Sequence, residues 1–394
     1  MLKKLKSNKK YLVYGLSIIF SRGLEYFVLF YAAKYLSKQD YGTLEFYKKI
    51  IELGAVALAF GLPSLLLSYT RSVGSKINLT FLSFLFISAL ALAVAPVLYY
   101  FNYQFLLVPI LFHAVFFNNG ILPVYFITNR GSTAAAIYKS VISIVFYSIV
   151  FTILLVSENK SLAFVNVNYF ILPLGLLYLF KVFWNADISK RFLWKYFKLF
   201  QKLLLSSLTL VLSNFANIMF LYTDILIIEL ISSNSKVDIA DYSFALNLCN
   251  MLILIPLTMV QVEIETIKKT KMVNALNSKI LKNITMFAVV VIIGYLFLIN
   301  TFYQNFQSTL WLFFVILVAK VFQAHGVLLG SYLLVIKKFR LNLYINIFAL
   351  FFNIIASILL FKFFGLIGIA LASILSLSVR YALLRYFSNY FGAK

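Results

Sequence analysis

The sequence predicts an all-α membrane protein with about twelve transmembrane helices. Of its 394 residues, 63% are hydrophobic and only 12% charged, which is more apolar surface than a soluble chain of this length buries. Apolar runs of about twenty residues recur from end to end, and they lack the ten-residue alternation with polar positions of an outer-membrane barrel. Helices are therefore the only spanning option, since every backbone polar group must be satisfied within its own segment.

The runs fall at residues 11–33, 47–70, 78–100, 104–127, 134–156, 163–184, 203–229, 239–262, 283–303, 309–335, 341–361 and 364–386. The first is longer than a signal-peptide core, carries charges in its middle and lacks a small-residue cleavage pattern after it, so it reads as a span. All six prolines (Pro63, Pro96, Pro109, Pro123, Pro173 and Pro256) lie inside these runs, where each is expected to kink a helix. The connections are short, and none has room for a soluble domain.

Where the basic residues fall gives orientation. The chain carries 35 lysines and arginines and a net charge of +23. Most stand in alternate connections: the run at residues 3–10, then Arg71, Lys76 and Arg130, the cluster 190–202, the cluster 268–282, Lys337, Lys338, Arg340 and Lys394. The opposite face receives Lys34, Lys38, Lys48, Lys49, Lys160, Lys236 and Lys362. This asymmetry predicts that both termini are cytoplasmic. It also explains the positive charge without nucleic acid, and makes anionic membrane lipids its natural partners.

Dividing the chain in the basic connection gives two regions, 1–190 and 191–394, each with six spans. Their sequences show weak kinship in parallel order. LSIIFSR (16–22) answers LTLVLSN (208–214), and FFNNGILP (116–123) answers FQAHGVLL (322–329), pairing Gly120 with Gly326. Transporters are commonly built from such repeats, with the substrate between them.

Three stretches carry a resemblance to a known family: SRGLEYFVLFYAAKYLSKQDYG near the start, YTDILIIELISS followed by IADYSFALNLCNMLILIP in spans seven and eight, and GLIGIALASILSLSV in the last span. In these and in span number the chain resembles the Wzx-like O-antigen and capsule polysaccharide flippases, of the MOP exporter superfamily that also holds MATE multidrug exporters and lipid II flippases. The resemblance implies two pseudo-symmetric six-helix bundles around a central cavity open alternately to either side of the bacterial cytoplasmic membrane. It implies a substrate as well, a polyisoprenoid-pyrophosphate-linked oligosaccharide, and a working relationship with glycosyltransferases and a polysaccharide polymerase.

Helical spacing indicates which faces line such a cavity. Ser206, Ser213, Asn217 and Asp224 lie along one side of span seven, Ser243, Asn247 and Asn250 along span eight, Lys320 and Gln323 along span ten, and Asn342, Asn346 and Asn353 along span eleven. Lys139, Lys181, Arg380 and Arg385 lie near the cytoplasmic ends of their spans, where long stems carry the charge to the headgroups. Arg22, Glu25 and Lys320 lie too deep for that; a charge at the centre of a membrane helix costs about 2.5–3.5 kcal/mol on insertion scales.

Arg22 and Glu25, three apart, share a face and are able to neutralise one another. Alternatively, Arg22 and Lys320 form a sink for the pyrophosphate, the guanidinium as a planar fork and the ammonium as a point charge. The amides Asn217, Asn247, Asn250 and Gln323 then meet sugar hydroxyls. Glu25 and Asp224 are the carboxylates able to couple transport to a Na⁺ or H⁺ gradient. His325 is a possible further participant, and His113 reads as a packing residue.

No cofactor is expected. GxxxxGK[ST] is absent, HExxH is absent, and Cys249 is the single cysteine, so ATP hydrolysis, zinc chemistry and disulfides find no support. The rival readings are a MATE-like organic-cation antiporter, which calls for a cavity dominated by carboxylates, and a membrane glycosyltransferase or polymerase, which calls for a large outer loop. The chain is expected not to be an enzyme.

Overall fold

A computed structural model of the chain describes residues 20–63, 66, 73–117, 120–184, 190–270 and 273–392. The beginning of the predicted span 11–33, the basic run 3–10, Arg71, Lys271 and Lys394 lie outside the described residues. Helices account for almost everything described: α1 (20–35), α2 (Lys38–Ala59), α3 (Val73–Tyr100), α4 (Leu107–Phe116), α5 (Ile121–Arg130), α6 (Ser132–Val156), α7 (Ala163–Phe183), α8 (Lys190–Ile231), α9 (Ser235–Thr270), α10 (Val273–Thr301), α11 (Leu310–Val335) and α12 (Phe339–Gly392). Among the described residues eight helical stretches are long and apolar enough to cross a membrane. The chain is a multi-pass membrane protein.

Several elements depart from the sequence expectation, each for a local reason. α2 begins at Lys38 rather than at 47, because Ser37 caps it: the Asp40 backbone N–H donates to Ser37 Oγ at 3.1 Å and the Ser37 hydroxyl donates to Asp40 Oδ2 at 2.6 Å. Its end is set by Phe60 and Gly61, both with positive φ. The predicted span 104–127 is two helices, α4 and α5, broken between Phe117 and Gly120, both extended. Tyr138 partly satisfies the break by donating to the Phe116 carbonyl at 2.9 Å.

That break corrects the expectation for two prolines. Pro109 and Pro123 each lie in the first turn of a helix, where no intrahelical bond is lost, whereas Pro96, Pro173 and Pro256 lie inside α3, α7 and α9. It also separates the two members of the sequence repeat. Gly120 stands at the break, with its hydrogen directed at the Val115 carbonyl so closely that a Cβ would sit 2.7 Å from that oxygen, while Gly326 lies within the continuous α11. At the other end, the predicted spans 341–361 and 364–386 are joined without a loop: α12 turns at Gly365 alone, with φ 56° and ψ −136°.

The chain forms two compact units, one of residues 1–32 with 47–215, the other of 33–46 with 216–394. In the first, α3 packs on α4 and α5, α5 on α6, α6 on α7, and α7 on α4. Its centre is aromatic: Phe112 stacks on Phe116 at 4.9 Å, and Phe146 meets Phe117 at 4.9 Å and Phe164 at 6.1 Å. His113 is buried among these rings, 4.5 Å from Phe117, in the packing position expected of it. On α7, Phe170, Leu174 and Leu177 are exposed along one helical face, as a lipid-facing stripe requires.

In the second unit α11 packs on α9, α10 and α12. Ile280 and Ile284 of α10 close against Ala324, Leu328 and Leu329 of α11 and Leu384 of α12, and Phe220 of α8 closes against Ala319, Ala349 and Leu377. The segment 33–46 belongs here too. Tyr41 is fully buried, with its ring edge-on to Phe306, and Gly42 lies against the Lys236 carbonyl at the start of α9.

Candidate functional site

In the first unit the deep charges form a chain. Arg22 Nη1 donates to Glu25 Oε2 at 2.6 Å, and Lys48 Nζ donates to Glu25 Oε1 at 2.7 Å. Glu52, one turn beyond Lys48, stands 4.0 Å from it. Glu25 and Lys48 are almost wholly enclosed, whereas the Arg22 side chain keeps 42% of its surface accessible. The internal pairing of Arg22 with Glu25 is thus present, but it does not consume the arginine. Among the described residues Glu25 is bonded at one of its terminal nitrogens, and the side chain stays partly accessible.

Lys48 corrects the sequence reading. Counted there with the outer connection, it is a buried partner of Glu25. The error came from hydropathy: the early turns of α2 are polar, and only the capping pattern at Ser37 and Asp40 betrays a helix there. Glu25 is correspondingly an ion-pair residue, since a carboxylate already held between two cations is poorly placed to take up a third.

In the second unit Asp224 is the centre of a different arrangement. Tyr242 of α9 donates to Oδ2, as does Ser373 of α12 at 2.8 Å, and Asn353 of α12 donates to Oδ1 at 3.0 Å. Ser376 in turn donates to Asn353 Oδ1 at 2.8 Å. All are buried, and the donors are neutral. Three neutral donors, two hydroxyls and one amide N–H, thus hold one enclosed carboxylate without a paired cation. Of this set the sequence had singled out Asp224 and Asn353; Tyr242, Ser373 and Ser376 carry no charge and gave no signal in a helix rich in such residues.

Lys320 and Gln323 come together directly, Nζ donating to Oε1 at 2.8 Å, and both are buried. Asn247 is buried and donates to Glu45 Oε1 at 2.7 Å, a partner that sequence reasoning missed. Asn250 faces inward one turn further along α9. His325 Nε2 is buried on α11, its ring 5.8 Å from Tyr381. The side chain of Asn217 lies outside the described residues.

Arg380 is a second correction. Expected to snorkel, it is buried, and its Nε donates to Asn346 Oδ1 at 2.9 Å. The reason is length: α12 continues to Gly392, so Arg380 stands more than three turns from its end. Lys181 and Arg385 are exposed, as long-stemmed charges near helix ends should be.

No known family profile and no characterised protein matches the chain by sequence. Solved structures do match by fold. The lipid II flippase MurJ in an inward closed conformation aligns with 96% of this chain and 87% of its own, at 16% identity and a TM-score of 0.65. An outward-facing multidrug resistance MATE family transporter of the MOP superfamily aligns over 98% of this chain and 96% of its own, at 10% identity and TM-score 0.62. A eukaryotic MATE transporter aligns over 97% and 95%, at 14% identity and TM-score 0.58. These alignments run through both compact units and nearly the full length on either side. The chain has the fold of the MOP superfamily transporters.

Proposed function

We propose that this protein is a transporter, not an enzyme, that moves a polyisoprenoid-pyrophosphate-linked oligosaccharide from the cytoplasmic to the outer leaflet of a bacterial inner membrane. The lobes of the fold would open alternately, with the anionic headgroup sheltered in a cationic cavity and the lipid tail left in the bilayer. The observation that carries this reading is Arg22, a deep guanidinium bonded at one nitrogen to Glu25 whose side chain stays partly accessible. Lys48 shares that carboxylate on its other oxygen, so Arg22 is not its sole counter-charge. A pyrophosphate stripped of water is prohibitive to move without such a partner, and the planar fork matches its oxygens.

Lys320 supplies a second cation, bonded to the neutral Gln323, and Gln323 and Asn217 are the amides proposed to meet sugar hydroxyls. The presence of both Arg22 and Lys320 among the deep charges favours this substrate over an organic cation. Glycosyltransferases and a polymerase would supply and consume the substrate.

Substitution tests the reading. With membrane abundance held normal, Arg22→Ala is expected to lower surface polysaccharide output by about 10- to 100-fold, the loss of one charge-assisted contact of about 1.5–3 kcal/mol. Arg22→Lys, which keeps the charge and loses the fork, should fall between. Normal output from Arg22→Ala would remove the residue from the mechanism.

Coupling is assigned to Asp224, an enclosed carboxylate held by neutral donors with no cation paired to it among the described residues. Asp224→Asn should leave translocation in proteoliposomes insensitive to imposed sodium and proton gradients. If collapsing both gradients leaves the unsubstituted protein unaffected, coupling through this carboxylate is abandoned.

A further inference from the structure

Four charged side chains of the first unit form one line of alternating sign. Arg22 of α1 donates to Glu25 Oε2 at 2.6 Å, Lys48 of α2 donates to Glu25 Oε1 at 2.7 Å, and Glu52 Oε1 stands 4.0 Å from the Lys48 ammonium. Helix geometry makes the arrangement. Arg22 and Glu25 are one turn apart on α1, as Lys48 and Glu52 are on α2, so each helix contributes one cation and one carboxylate. The middle of the line, Glu25 and Lys48, is enclosed, whereas both ends are partly open, Arg22 with 42% and Glu52 with 24% of the side chain accessible. All four residues lie in the same compact unit.

The balance of charge decides what such a line can do. With every member ionised, its two cations and two carboxylates cancel, whereas Arg22, Glu25 and Lys48 without Glu52 carry a net positive charge. An anion arriving at the Arg22 end therefore meets a neutral set, attracted by the guanidinium and opposed by the carboxylate at the other end. Water screens this opposition poorly. The Lys48 ammonium lies 5.8 Å from the centre of the Phe164 ring, and Phe164 is itself buried beside Phe146. In such surroundings charges act on one another several times more strongly than in bulk solvent.

We propose that Glu52 is a positioning residue for anion binding, whose charge holds down the affinity of the Arg22 end for a pyrophosphate headgroup. The inference rests on the assignment of that headgroup to Arg22. Glu52 acts through Lys48 and touches no substrate itself. When ionised, it offers Lys48 a second carboxylate, and more of the Glu25 charge is left to Arg22. When uncharged, it leaves Lys48 to compensate Glu25 more fully, and the guanidinium is freer to take phosphate oxygens. A translocated anion must be held firmly enough to enter and loosely enough to leave, and Glu52 serves the second requirement.

Isothermal titration of the purified full-length protein with farnesyl pyrophosphate, and with uncharged farnesol as the control, tests the role of Glu52. Glu52→Gln and Glu52→Ala remove the charge in different shapes, and each is expected to tighten farnesyl pyrophosphate binding by about tenfold. Glu52→Asp, which keeps the charge, should bind like the original protein. Farnesol affinity should stay the same in all three. A merely structural role for Glu52 calls instead for weaker or unchanged binding of farnesyl pyrophosphate in the Gln and Ala variants, and either result overturns the proposal. So does an equal gain for farnesol, which would mark the effect as apolar. Arg22→Ala separates the two readings. If it weakens farnesyl pyrophosphate binding while Glu52→Gln changes nothing, the Arg22 assignment stands and the Glu52 inference falls; if it leaves binding unchanged, both fall.

Discussion

Replacing Lys48 by methionine is expected to destabilise the protein by about 3 kcal/mol. Truncating one partner of a buried ion pair leaves the other charge uncompensated, a loss of about 3–5 kcal/mol in such sites. Glu25 retains Arg22 on its second oxygen, so the effect falls near the lower end of that range. The measurement is the thermal unfolding midpoint of the purified protein, together with its abundance in the membrane. The double substitution Glu25→Gln with Lys48→Met removes both charges, and should recover most of the stability while abolishing transport. A Lys48→Met protein as stable as the original would mean that the ion pair is not an enclosed one.

Gly42→Ala is expected to be comparably damaging, and Gly42→Leu to prevent accumulation. A Cβ at position 42 would fall 2.7 Å from the Lys236 carbonyl carbon and 3.2 Å from the Ala240 nitrogen, and nearer still to the Lys236 oxygen. These are backbone atoms, which unlike a side-chain tip cannot swing aside. Overpacking of this kind costs about 1–3 kcal/mol, and the rigidity of the neighbour places Gly42→Ala at the top of that range. Gly23→Ala is the control, since nothing lies within 4 Å of a Cβ there and alanine is the better helix former. Its unfolding midpoint should be equal or higher.

What was legible in the sequence was local or compositional. The apolar runs announced the helices, and the i, i+3 spacing of Arg22 and Glu25 announced their bond. Asp224 stood out as a carboxylate ending a polar stripe. Partners distant in sequence were not legible: Lys48 and Glu45 lie in the polar turns of α2, which hydropathy assigns to a loop, and their roles depend on residues 23 and 202 positions away. Gly42 is instructive in the same way. The Tyr41–Gly42 pair carried part of the resemblance to polysaccharide flippases, but its physical reason, a buried ring beside a glycine pressed on the next helix, needs three dimensions. Arg380 was misplaced because a span end drawn by hydropathy stops at 386, while the helix does not.

The corner at Gly365 limits how the molecule can be probed. Two long helices meet there with no slack between them, in a backbone geometry that glycine alone tolerates, although nothing crowds the residue. An epitope tag, protease recognition sequence or fluorescent reporter inserted at that vertex would separate the helices themselves instead of lengthening a tether. Reporters of sidedness are therefore better spliced into the connection near Asn159, where the chain leaves one helix through an extended residue before it begins the next.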